Sequence, residues 1–588
     1  MRAVRPLAAL AIVAVFGMAR GADDPLRLVP WQADFVLRID SPHKLVDAVT
    51  ATEPVRELSQ FAAVREALQT TNARRAARLL SYYEKELAAK WPDLLDRLAG
   101  GGIVLAGRFD RTNQAPALFV IQGTDSDLWK RALAALLQVI EQEEIRQDAK
   151  DRPIKDSYRG LETIHIGNDV HLARAGSALL VSNKIEAVHA GLDLYINGRH
   201  DSLTEVAGPN DANKLLPPEP LVSLWVNLKP AQESPEGKEF FKRPKQDPAQ
   251  LIFAGGLLDV IGHAPFLAMG TYRQPDGAWM TTVRMPRGRD ATPEGQALHV
   301  APAGQPGCLP PLAPADALYS TSFYLDLGKF WTDRDKLLGE NARKAFDQAE
   351  KNLGRFLAGR KLSELLTQAG PYHRFVAAAQ AKSGYAKHPN QIIPAFAYNV
   401  SMRDPGFGKA MDGLLRAVAL FAGLQAKLKL VEETVDGVML VGYRFPEDGT
   451  LPADVNNIRF NFSPCFAAVG DQFFAASTME LGREMIRTLK RPATNTPSSD
   501  TAVLSRLSAA GGAALLKAFE DQVLTQAALD RAMTIDEVRS EVTKFVAWVG
   551  KLGELDFDTE YRTHEFRFEI QWINRRGTES TEKSKANK

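Results

Sequence analysis

One order of elements runs through this chain twice, and that repetition limits what it can fold into more than any single motif does. The stretch VPWQADFVLRID, Val29 to Asp40, reads as an apolar opening strand, and LAPADALYSTSFYLDL, Leu312 to Leu327, reads as the same strand about 280 residues later. Each is followed by a segment rich in Ala, Leu, Arg and Glu with helical spacing, Val55 to Leu98 and Phe330 to Gln368. These segments close near Gly100 and Gly370, where glycine predicts a left-handed helix stop. Two strands come next in each half: GIVLAGRFD and the Pro-led APALFVIQ in the first, HRFVAAAQA and IPAFAYNVS in the second. An acidic residue then heads an amphipathic helix, Asp125 or Asp127 in one half and Asp404 in the other, as an N-cap or first-turn carboxylate should.

The parallel continues with YRGLETIHIG against VDGVMLVGYRF, pairing Gly160 with Gly437, and with HLARAGSALLVSN against CFAAVGDQFFAAST. The alternation of apolar and polar residues across Gly176 and across Gly470-Asp471 predicts hairpins, each leading into a further helix. A last pair of strands ends each half, in which Tyr272-Arg273 corresponds to Tyr561-Arg562. Runs of strands with hairpins, interrupted by one long and two shorter helical blocks, predict two similar α+β units, each with a largely antiparallel sheet. The expected division is a leader at 1–21, a first unit at 26–285, a Pro/Gly-rich linker at 286–314, a second unit at 315–574 and a disordered polar tail at 575–588.

The leader places Arg2 and Arg5 before an apolar run from Leu7 to Met18, then small residues at Ala19, Gly21 and Ala22. That is the order of a cleaved secretory signal, and the run is too short for a membrane anchor. The expected compartment is therefore secreted or periplasmic, with no transmembrane segment after cleavage. With 72 basic and 71 acidic side chains, the chain lacks the electrostatic footprint of a nucleic-acid binder. At 45% hydrophobic and 24% charged residues it has the composition of a globular protein with ample core. In an oxidising compartment Cys308 and Cys465 can pair as a disulfide, while the apolar context NFSPCFAAVG suits an inert buried Cys465.

The secretory leader, the opening LAPADALY with its looser counterpart VPWQADFV, the Pro-led strand, and LLVSN and FFAAST ahead of a helix resemble a family of secreted bacterial proteins, common in planctomycetes and known only as a domain of unknown function. The resemblance spans most of both halves and implies a tandem duplication and an extracytoplasmic compartment. It implies no activity.

No short motif adds one. GRFLAGRKLS, Gly354 to Ser363, approaches a phosphate loop but has Arg360-Lys361 in the wrong register and no preceding strand. Neither a His-Glu-x-x-His helix nor a Gly-x-Ser-x-Gly elbow occurs. Two clusters are weak metal candidates. Asp556, Asp558 and Glu560 alternate along a strand and share a face, and His165, Asp169 and His171 flank a hairpin turn. No catalytic residue, cofactor site or cofactor is assigned. The leading expectation is a non-enzymatic binding or interaction module with a protein or apolar ligand in the cell envelope as its partner. The alternatives are a carrier of an apolar ligand such as lipid, and a hydrolase whose site is assembled from residues distant in sequence.

Overall fold

The structure is a computed structural model that describes residues 23–109, 115–146, 153–198, 200–242, 247–291, 298–353, 360–380, 384–448, 454, 456–491, 497–520, 524 and 534–574. The leader at 1–21, the tail at 575–588 and most of the phosphate-loop-like stretch lie outside the described residues. The fold is α+β, with 45% helix and 28% strand. Two compact units divide it: Met1–Ala51 with Glu66–Asn227, and Thr52–Arg65 with Leu228–Lys588.

The first unit holds strands β1 (Phe35–Ile39), β2 (Gly102–Gly107), β3 (Ala117–Gln122), β4 (Ile154–Tyr158), β5 (Leu161–Ile166), β6 (Val170–Ala175), β7 (Ala178–Ser182) and β8 (Val222–Asn227). They form an antiparallel sheet in the order β4-β5-β6-β7-β3-β2-β1-β8. In the second unit the strands are β9 (Phe266–Arg273), β10 (Trp279–Met285), β11 (Ala317–Tyr324), β12 (Ala369–Ala378), β13 (Ala395–Met402), β14 (Lys429–Val435), β15 (Val438–Arg444), β16 (Cys465–Val469), β17 (Gln472–Ala476), β18 (Thr501–Ser508), β19 (Glu554–Tyr561) and β20 (Phe566–Ile573). Their order is β14-β15-β16-β17-β13-β12-β11-β18-β19-β20-β10-β9, again antiparallel throughout.

Local chemistry explains the common pattern. Arg159-Gly160 and Asp436-Gly437 each supply two successive positive φ angles, 50° and 85° in the first pair, 48° and 78° in the second. Those angles make the two-residue turn that matches strand twist, closing β4 on β5 and β14 on β15. Asp125 accepts a hydrogen bond from the Leu128 amide at 2.8 Å, and Asp404 one from the Gly406 amide at 2.6 Å, so both acidic residues begin the helices the sequence assigned them. The expected left-handed stops do not form: Gly100 keeps φ at −66°, and Gly370 lies inside β12.

The compact units part after Asn227, whereas the sequence reading places the division at the Pro/Gly-rich segment 286–314. The reason is strand pairing. β10 pairs along its whole length with β20, Trp279 to Trp572 through Met285 to Phe566, which ties residues 228–285 to the later strands. Segment 286–314 is no bare linker either, because Leu298, Ala301, Cys308 and Leu312 are buried. Its backbone is held within the second unit by Gly307 N–H to Ser498 O at 3.1 Å and by the Tyr372 hydroxyl donating to Pro306 O at 3.1 Å.

Helices cover the sheets. In the first unit Leu128, Trp129 and Leu133 of the helix Ser126–Arg146 pack on Ile164, Leu172 and Leu179. In the second, Met485 and Ile486 of the helix Met479–Lys490 meet Cys465 and Phe474, while Phe407 of Pro405–Ala426 meets Phe466 and Phe473. Consecutive strand residues point to opposite faces, so this end of the sheet is apolar on both faces, with one helix on each. Among the described residues, no helix is long and apolar enough to cross a membrane.

Candidate functional site

At the other end of the second unit's sheet, register builds an apolar floor. Val283 of β10 stands opposite Phe568 of β20, Phe568 opposite Thr559 of β19, Thr559 opposite Val503 of β18, and Val503 opposite Phe323 of β11. Five strands thus contribute one row of side chains to a single face, four of them apolar. Over this row lies the helix Pro248–His263, started by Asp247, whose carboxylate accepts from the Ala249 amide at 2.9 Å, with Pro248 at its first position. The helix is fixed at its far end by Asp259, buried at 6% exposure and paired with Arg287 at 2.8 Å.

Between floor and helix is a cavity of about 480 Å³, within the range of small-molecule sites. Its roof includes Ile252, Phe253, Gly256 and Leu257, and Tyr561 and His299 close one side. Phe253 is 79% exposed and Leu257 43%, so the helix carries large apolar side chains at the rim as well as beneath it. No Lys or Arg is among the lining residues. Gly256 lets the helix pack closely on the cavity wall: a Cβ there would sit 2.6 Å from the Tyr561 hydroxyl and 3.2 Å from Nδ1 of His299.

His299 comes from the segment the sequence reading treats as a linker. Its Nε2 lies 2.6 Å from the Ile252 carbonyl oxygen, and burial lowers its basicity. Its Nδ1 is buried without a hydrogen-bond partner among the described residues. Tyr561 is 5% exposed, packs edge-on against Phe566 at 5.2 Å, and its hydroxyl is pushed above the ordinary phenol range by burial.

The sequence-level candidates fall elsewhere. Asp556, Asp558 and Glu560 do share one face of β19, opposite to the cavity floor, but arginines occupy them. Arg506 grips Asp556 through Nε at 2.7 Å and Nη2 at 2.9 Å. Arg567 reaches Asp558 at 3.1 Å and Glu560 at 2.7 Å, and Arg562 Nε meets Glu560 at 2.6 Å. Burial, then the neighbouring Glu560, pushes the Asp558 carboxyl up to about 6. His165 and His171 do face each other across β5 and β6, with Nδ1 to Nδ1 at 2.7 Å, so one ring donates to the other. Burial, then His165, lowers the basicity of His171. Asp169 sits in the turn between those strands. Among the described residues no group of three or more such side chains is placed to hold a metal ion.

Cys308 and Cys465 do not form the disulfide left open by the sequence: both are free and buried. Cys465 donates to the Thr478 carbonyl at 3.2 Å inside the helix-covered core, and burial raises Cys308 to about 12. Of the repeated Tyr-Arg pairs, Tyr272 is buried at 6% exposure while Arg273 lies over the Trp279 ring at 5.3 Å, and Tyr561 belongs to the cavity wall. The sequence reading missed His299, Gly256 and the floor row. One signal was present: the Gly255-Gly256 pair within PAQLIFAGGLLDVIGH, since each helix-interior glycine costs about 1 kcal/mol against alanine and calls for a packing reason.

No family model matches the chain, and no curated protein matches it. Among solved structures it is similar to TP0453 in three crystal forms. Form I shows 11% identity and a TM-score of 0.22 over 46% of this chain and 81% of that one. Form III shows 9% and 0.22 over 45% and 81%, and form IV 9% and 0.24 over 46% and 83%.

Proposed function

We propose that this is a binding protein that takes an apolar small molecule into the cavity beneath the helix Pro248–His263. The observation that carries the reading is the cavity itself: about 480 Å³ of space between a continuous apolar row and the overlying helix. A pocket of this volume that opens to the surface and is lined almost wholly by apolar side chains has the size and chemistry of a small-molecule site. The secretory order of Arg2, Arg5 and Leu7 to Met18 supports export to the periplasm or medium, where an apolar compound needs a carrier. The strand order common to β1–β8 and β11–β18 supports descent of the two units from one by tandem duplication, as in the secreted family the sequence resembles.

The direct test is titration with 1-N-phenylnaphthylamine, whose fluorescence rises on leaving water. Saturable binding at one site is expected, weakened about tenfold or more (~1.4 kcal/mol) in Ala254→Trp and in Val503→Phe, both of which add bulk to the cavity lining. Equal binding by wild type and both folded variants would place the probe elsewhere and contradict the reading.

A further inference from the structure

We propose that the C-terminal end of the helix Pro405–Ala426 inserts into a lipid surface that carries anionic headgroups. The helix packs by its first half: Phe407, Ala410, Met411, Leu414 and Leu415 meet Val400, Val441, Phe466 and Phe473. Beyond Leu415 no described residue of the helix belongs to that core, yet the helix runs on for about three turns, roughly 16 Å at 1.5 Å per residue. Its root is fixed, because Arg416 meets Asp412 at 3.0 Å and Glu432 of β14 at 2.8 Å. Past that anchor Val418 is 52% exposed, Leu420 67% and Phe421 69%, and Leu430 at the start of β14 is 52% exposed.

Successive helical residues are turned by about 100°, so Val418, Leu420 and Phe421 point to three different sides. A protein groove takes one stripe of a helix, at i, i+3, i+4 and i+7, and leaves its other sides in water. A bilayer interface surrounds an inserted end, so bulky apolar residues on several sides suit lipid better than a second polypeptide. Charge chooses the headgroup. From Gly413 to Val431 the chain has no Asp or Glu, and its cations are Arg416, Lys427 and Lys429. Arg416 is taken by its own carboxylates, whereas both lysines are exposed and form no ion pair among the described residues. Lys427 caps the helix at φ 51° and turns the chain into β14, which sets both lysines beside the apolar end. An anionic surface attracts lysines held within a Debye length of it.

The test is co-sedimentation with phosphatidylcholine vesicles, with and without about 30% phosphatidylglycerol. The chain is used from Ala22 onward, so that the apolar run Leu7 to Met18 does not itself bind lipid. Binding to the anionic vesicles is expected to be about tenfold tighter or more at low salt, with the gap closing at about 0.5 M NaCl. Leu420→Gln with Phe421→Gln is expected to weaken it about tenfold or more at an unchanged unfolding midpoint, because both side chains lie in water. Lys427→Glu with Lys429→Glu is expected to remove the preference for phosphatidylglycerol. Phe253→Gln, which removes a phenyl ring 79% exposed on another helix, is expected to bind within about twofold of wild type. No vesicle binding by wild type, or binding that the Leu420 and Phe421 changes leave intact, overturns the proposal. So does a wild-type dimer that those two changes dissociate, which would give the helix end to a second copy of the chain. The cavity reading stands in each of these cases, since it rests on other residues.

Discussion

The two faces of strand β19 differ in how completely each is satisfied. On one face Asp556, Asp558 and Glu560 lie beside Glu569 of β20 and pair with Arg506, Arg562 and Arg567, leaving Oδ1 of Asp558 and Nε of Arg567 without a hydrogen-bond partner among the described residues. On the other face Thr559 joins Phe568, Val503 and Phe323 along the floor of the cavity, while Tyr561 packs against the overlying helix at Gly256. The face that looks chemically active in sequence is occupied by its own arginines. The face that looks like ordinary core is the one with room for something else. Charge density alone is thus a poor guide to a site, because buried charges must be paired to be tolerated and pairing removes their capacity for a ligand.

The largest expected effect comes from breaking the charged face. Arg567 is 15% exposed at its side chain and faces Glu560, Asp558 and Glu569, so Arg567→Ala leaves three carboxylates with reduced compensation. A loss of about 3–5 kcal/mol in denaturant unfolding is expected, with binding of the fluorescent probe by the folded fraction unchanged. A loss below about 1 kcal/mol would mean that the face is solvated and the contrast between the faces false.

A smaller effect sharpens the same contrast through pH. The Asp558 carboxyl is raised to about 6 from 3.8, chiefly by burial, so its protonated form is the one the fold prefers. Its contribution to stability is full below its unfolded value and is lost as pH rises through about 6. Asp558→Asn is expected to flatten the decline in stability between roughly pH 4 and pH 7 by about 1–2 kcal/mol, read from unfolding midpoints across that range. A decline that persists unchanged would assign the titration to another group.

Much of the fold was legible because its signals are local. The Arg159-Gly160 and Asp436-Gly437 turns, the Asp125 and Asp404 caps and the alternation along each strand are decided within a few residues. The division of the units was not, because it depends on β10 finding β20 some 280 residues away in sequence. Proline and glycine in 286–314 mark where regular structure stops, and they carry no information on whether Leu298 or Cys308 is covered. The site was less legible still. Its floor takes one side chain from each of five strands, and part of its wall comes from His299, which has no neighbouring motif. The carboxylates and histidines stood out because ionisable residues are conspicuous in a sequence, and neighbours on adjacent strands decide whether they are free.

Native mass spectrometry of the protein, purified without detergent and incubated with decan-1-ol, tests the central claim most directly. The account predicts one non-covalent adduct per chain, lost on denaturation and absent from Ala254→Trp. A mass equal to that of the chain alone, at decan-1-ol concentrations approaching its solubility, would contradict it.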